Sequence, residues 1–165
     1  MSTFNGLPIH PLLVHFIVVL APLTAALAIL CALWPAARQR LVWLVLALAA
    51  FTAAVTPLAT ESGEWLEHHI EKSELVEKHA DLGDSMLYFA LALLIAAILL
   101  VVVHVRANRA KPLSTGLSAA IAAFIVLAGV ATTVQVVRIG DSGATAAWHD
   151  ALETSGVQAA PDEDK

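Results

Sequence analysis

Charge is what this chain has least of. Only 14% of its 165 residues are Asp, Glu, Lys or Arg, where a soluble domain carries about 25%. Long stretches have none at all, which argues against a water-exposed globule. There is a single cysteine, Cys31, so an intrachain disulfide, a Cys-based zinc site and a dithiol redox motif are all excluded. Basic residues are few and the formal net charge is −5, which leaves no basic face for nucleic acid. The chain also lacks a Gly-rich phosphate loop, a nucleophile elbow and a His-Glu-x-x-His helix, so nothing in it supports hydrolase chemistry or marks it as an enzyme. The stretch from Met1 to Gly6 carries no positive charge. The apolar run after it is too long for a signal peptide, so that run reads as a retained first span.

What is present is apolar sequence: 59% of residues are hydrophobic and the mean hydropathy is +0.78. Residues 11–34 are uncharged, longer than the ~20 residues a helix needs to cross a bilayer. Pro11 suits the first helical position, and Pro22 predicts a mid-span kink. A basic loop, Arg38-Gln39-Arg40, leads to a second span over 41–58 that ends near Thr56-Pro57. Residues 61–84 are acidic; within them Trp65, Leu66, His69 and Ile70 make one stripe of a short amphipathic helix. Ser73 reads as the start of a helix running through Val105, with 86–103 in lipid. Arg106, Arg109 and Lys111 form the next loop. A fourth span over 117–137 carries Gly129, Thr132 and Thr133 as close-packing residues, and Arg138 marks its end. Gly140-Asp141-Ser142-Gly143 reads as a turn before a surface helix at 145–153. No internal repeat stands out. The expected fold is all-α: a four-helix transmembrane bundle with a short amphipathic outer segment between helices 2 and 3. Residues 1–153 form one domain and 154–165 an acidic disordered tail.

Arg38, Arg40, Arg106, Arg109 and Lys111 crowd two short loops on one side, whereas Lys72, Lys78 and Arg138 are dispersed on the other. The denser side is the cytoplasmic one, which puts both termini outside. Trp34 and Trp43 then flank the inner boundary and Trp65 and Trp148 the outer one.

This topology gathers His10, His15, His68, His69, His79 and His149 at the outer end. Imidazole binds zinc, copper and iron, haem iron included. His15 and His79 are the favoured pair. His15 lies about one turn inside a span, where an ionisable ring needs a partner, and shares a face with Val18, Val19 and Pro22. His79 shares a face with Leu82, Gly83 and Met86, and Gly83 leaves room for a flat group such as a porphyrin. Facing histidines on two bundle helices hold such cofactors, and Arg138 can pair with a propionate. The plainer alternative makes His79 a solvated residue and Gly83 a packing contact. His10 comes next: it points about 140° from His15 on a regular helix, and its plainer role is to cap the helix start. His69 is preferred to His68 because it shares the Trp65 stripe. A metal-ion set would draw on His10, His15, Glu64, His69 and His79. The plainer reading of the acidic run is a solvated face, and of His104 a snorkelling interface residue.

The opening His10-Pro11-x-x-Val14-His15-Phe16 resembles that of bacterial membrane proteins grouped as domain of unknown function 2231. The actinobacterial branch is echoed in the segments Thr56 to Glu64, Val76 to Asp84 and Arg138 to Ala144, followed by Trp148. The similarity covers about residues 6–149. Ile17 stands where the family usually has a proline after the Phe. The resemblance implies a multi-pass protein of the bacterial cytoplasmic membrane, with no established activity, in which His10, His15 and His79 are motif histidines. Relatives fused to cytochrome-like modules imply a redox setting. The expected function is therefore binding of a b-type haem or a metal ion at the outer face, in electron transfer. Two alternatives stay open: a non-catalytic accessory or assembly subunit of a respiratory complex, and a zinc or copper binder or sensor. The expected partners are the lipid bilayer and either a membrane redox complex or a second copy of the chain.

Overall fold

The structure, a computed structural model, describes residues 3–4, 7–70 and 73–155. A two-residue antiparallel ladder, β1 (Thr3–Phe4) with β2 (Leu7–Pro8), precedes five helices. These are α1 (His10–Leu33), α2 (Pro35–Glu67), α3 (Glu74–Asp84), α4 (Met86–Asn108) and α5 (Thr115–Ser155). Taking α3 and α4 as one rod, four helices among the described residues are long and apolar enough to cross a membrane. The outward side chains are large and apolar, among them Leu12, Phe16, Val19, Tyr88, Leu127 and Val137. Nearly half of the buried ones are alanine or threonine. That inversion is how helices pack in lipid, where small residues let backbones approach.

Four boundaries differ from expectation. Arg38-Gln39-Arg40 is not a loop but lies in the first turns of α2, which begins at Pro35. Pro57 does not end α2, which continues for about three more turns to Glu67. A proline removes one backbone bond, and threonines line the same stretch: Thr56 Oγ1 donates to Thr52 O at 2.8 Å and Thr52 Oγ1 to Leu48 O at 2.9 Å. With no water to compete, the helix remains the cheapest way to satisfy its carbonyls. Gly140-Asp141-Ser142-Gly143 is not a turn but the interior of α5, and Arg138 does not mark an end. The expected long third helix breaks once, at Ser85. There Ser85 Oγ donates to Leu82 O at 2.7 Å, and Gln135 of α5 donates to Leu82 O at 3.1 Å and to Ser85 Oγ at 2.8 Å.

Other local expectations hold. Ser73 is the N-cap of α3, accepting from the Val76 amide at 3.3 Å, with Glu74 and Glu77 in the first turn, where acids suit the helix dipole. The amphipathic segment between the second and third spans consists of the last turns of α2 together with α3. The loop after α4 turns through Ala110 at φ 54°, and the Lys111 amide returns to Arg106 O at 3.0 Å. Thr154 and Ser155 close α5, and residues 156–165 of the expected tail lie outside the described residues.

The packing order carries information that residue identities hide. α1 packs on α2 and α5, and α4 packs on the same two helices, so α1 and α4 face each other across the bundle. Helices α2 and α5 bury one register: Val45, Thr52, Val55, Thr56, Ala59 and Ser62 correspond, 80 positions later, to Ile125, Thr132, Gln135, Val136, Ile139 and Ser142. Helices α1 and α4 do the same at 69 positions: Ile17, Ala21, Thr24, Ala28 and Cys31 correspond to Met86, Ala90, Leu93, Ala97 and Leu100. A half-turn about the bundle axis exchanges α1 with α4 and α2 with α5 and preserves every neighbour. The fold is two like helix pairs.

Candidate functional site at the histidine end

Two of the buried stripes just described end on histidine. Following α1 upward from Ala21 through Ile17 and Val14 in steps of three or four leads to His10. Following α4 and α3 from Ala90 through Met86 and Gly83 leads to His79. The two imidazole centroids lie 6.3 Å apart with planes crossed at 80°. Both rings line an apolar crevice with about 440 Å³ of empty space, its open mouth included; Val14, Ile17, Gly83, Met86, Val136 and Ile139 contribute to its walls. Gly83 has open space where a side chain would stand.

Each ring is held by the same small device. His10 Nδ1 is 2.9 Å from Ala59 O and 3.3 Å from Ser62 Oγ, while Ser62 Oγ donates to that same carbonyl at 2.8 Å. His79 Nδ1 is 3.1 Å from Ile139 O and 3.1 Å from Ser142 Oγ, and Ser142 Oγ donates to Ile139 O at 3.0 Å. The network assigns the tautomer. A carbonyl only accepts, and each serine has already spent its hydrogen on it, so the proton between ring and clamp belongs to Nδ1. Nε2 is left with its lone pair. This is the orientation in which a metal-ligating histidine is held, its other nitrogen donating to a backbone carbonyl. A glycine follows each serine and lets the ring lie flat on the helix. A β-carbon at Gly63 would sit 2.9 Å from His10 Cε1, and one at Gly143 would sit 2.8 Å from His79 Cε1.

Of the residues singled out in the sequence, the structure brings together His10, His79 and Gly83. His15 is exposed, its Nδ1 against the Pro11 carbonyl of its own helix, on the outward face with Val18 and Val19. Glu64 is exposed, as is His69, which stacks on Trp65 at 4.0 Å and bonds the Trp65 carbonyl at 2.7 Å. Arg138 is exposed and 3.4 Å from Gln135 Oε1. His104, at the opposite end, is buried and accepts from Asn108 Nδ2 at 3.0 Å. Among the described residues, no group of three or more His, Cys, Asp or Glu side chains is placed to hold a metal ion. The site thus offers two nitrogen donors, with the Met86 thioether on the same wall.

Sequence reasoning missed Ser62, Gly63, Ser142, Gly143 and Met86 as parts of a site. The signal was there: Glu61-Ser62-Gly63 on α2 and Asp141-Ser142-Gly143 on α5 are the same acidic-Ser-Gly triplet, 80 positions apart. A family model described as predicted membrane protein, DUF2231, matches residues 6–156. No curated protein and no solved structure matches the chain.

Proposed function

The chain belongs to the DUF2231 family of predicted membrane proteins, and from that premise we propose that it holds a b-type haem or a metal ion between His10 and His79, in electron transfer. The observation that carries the proposal is the pair of rings 6.3 Å apart, each with Nδ1 at its clamp and with no hydrogen-bond partner on Nε2 among the described residues. An ion bound at about 2 Å from a nitrogen of each ring is compatible with that separation. The donor set and the walls fit the group. Two imidazoles are the donors that a b-type haem would take from the protein, and the crevice walls are apolar. Such a centre supplies a one-electron couple. The protein's part is to hold two neutral imidazoles, exclude water with Val14, Ile17, Val136 and Ile139, and set the electrostatics around the rings. The crowding of basic residues at the opposite end supports a reading in which the histidine end lies on the outer face of a bacterial cytoplasmic membrane, with both termini outside.

The test is an optical spectrum and elemental analysis of the purified full-length protein. A Soret band, or a stoichiometric metal, that is lost in His10→Ala and in His79→Ala and kept in His15→Ala supports the proposal. Neither chromophore nor metal would overturn it and favour the accessory-subunit alternative.

A further inference from the structure

The two halves of the bundle do more than share a burial register: five pairs of equivalent positions all face the crevice. His10 matches His79, Val14 matches Gly83, Ile17 matches Met86, Thr56 matches Val136 and Ala59 matches Ile139. The clamps match as well, Ser62-Gly63 with Ser142-Gly143, down to the serine hydroxyl that donates to the carbonyl three residues back. We infer that the chain is an internal duplication of one helix-pair module, and that its ligand is a metal centre bound on the axis between the modules through two equivalent imidazole Nε2 atoms.

The inference rests on the cofactor reading above and narrows it. Duplicated modules meeting at an axis present their donors from opposite sides, one per half. That arrangement would suit a centre that takes two protein nitrogens, one from each half, as haem iron can. It does not match tetrahedral zinc, which takes four protein or solvent donors at ~109° in a closed polar site. Ser62 and Ser142 are positioning residues: they touch the ring nitrogen remote from the ligand and hold the tautomer. Outer-shell partners of this kind are worth about 10–100-fold in metal affinity. Equivalence makes a sharper demand than importance does, because the effects of the two serines must agree with each other.

The experiment uses the full-length protein in detergent, titrated separately with haemin, copper(I) and zinc(II), beside histidine ¹⁵N NMR of the unliganded protein. Haemin is expected to give a spectrum of iron with two imidazole ligands at one equivalent, with zinc(II) weak. Ser62→Ala and Ser142→Ala are each expected to weaken binding about 10–100-fold, within a factor of about three of one another, while Ser62→Thr and Ser142→Thr restore it. NMR should show two rings as the Nδ1–H tautomer, each losing that preference in its own serine variant. Loss confined to one serine, or tight zinc(II) binding, would overturn the inference. Tight copper(I) at one equivalent without haemin binding keeps the axis and the paired imidazoles but removes the macrocycle. No binding of any probe, with both tautomers as expected, would remove the cofactor reading and leave the duplicated clamps standing.

Discussion

Gly63 and His10 lie on different helices, yet a β-carbon on Gly63 would fall 2.9 Å from Cε1 of the His10 ring, closer than such atoms approach. Gly143 and His79 repeat the relationship at 2.8 Å. A glycine inside a helix costs roughly 0.5–1 kcal/mol relative to alanine, and at these two positions the cost is offset by a seat for an imidazole.

That trade gives a prediction with opposite signs for stability and binding. Gly140→Ala, in the same helix with nothing within 4 Å, should gain the full roughly 0.5–1 kcal/mol in a detergent unfolding assay. Gly63→Ala and Gly143→Ala should forfeit that gain, because the ring must leave its carbonyl and serine, and each should weaken ligand affinity at least about 10-fold. If all three variants gain equally and bind as wild type does, the rings are not seated where the structure puts them.

Gln135 bridges α5 to the break between α3 and α4, donating to Leu82 O and Ser85 Oγ. Its equivalent on α2 is Val55, and α1 has no break to repair, so this contact is where the two halves differ. Gln135→Leu should cost about 1 kcal/mol, within the range of interhelical hydrogen bonds in membranes, and speed amide exchange around Ser85. An unchanged unfolding midpoint and unchanged exchange at Ser85 would show that the break is stable without it.

How much of this could be read from the sequence divides by the kind of signal. The four spans rest on length and polarity, which lipid enforces strictly, and the Ser73 cap rests on local hydrogen bonding. At the candidate site, the structure brings His10 and His79 to one crevice and leaves His15 exposed. His15 was favoured by its depth in the span, but depth does not say which way a ring faces. The alanine stripe of α1, extended back from Ala28 and Ala21, lands on His10, and that signal was available. The glycines misled for a different reason. Gly140 and Gly143 were taken as turn formers, when Gly143 is needed because a histidine from another helix lies on it. A close approach between distant segments leaves the same residue in the sequence as a turn does. The repeat is hard to see in the sequence because few equivalent positions hold the same residue: Thr52 matches Thr132 and Ser62 matches Ser142, but Ile17 pairs with Met86 and Ala59 with Ile139.

Ala110 adopts φ 54° at the end of α4, a left-handed conformation that costs L-residues about 1–2 kcal/mol and is usually given to glycine. Ala110→Gly should therefore stabilise the loop by up to about 1 kcal/mol, the added freedom of glycine in the unfolded chain taking back part of the gain. Equilibrium unfolding in mixed micelles reads this directly. A loss of stability would mean that the Ala110 methyl makes a contact worth more than the strain.

The orientation of the bundle decides what the His10–His79 crevice can exchange electrons or metal with. Five basic residues sit at the far end, Arg38 and Arg40 in the first turns of α2, Arg106 in the last turn of α4, and Arg109 and Lys111 just after it, against Lys78 and Arg138 toward the histidine end. If those basic ends stay in the cytoplasm, as the positive-inside rule expects, the crevice faces outside. Cys31 is buried in the core, and Cys31→Ala removes it as a competing thiol. In that background Glu74→Cys, on the exposed first turn of α3, should react with a membrane-impermeant maleimide in intact cells. Arg109→Cys should react only after lysis. The reverse pattern would turn the crevice toward the cytoplasm, where its ligand and its redox partner would have to be supplied from within the cell, and the electron-transfer reading would need a different donor even if both histidines kept their roles.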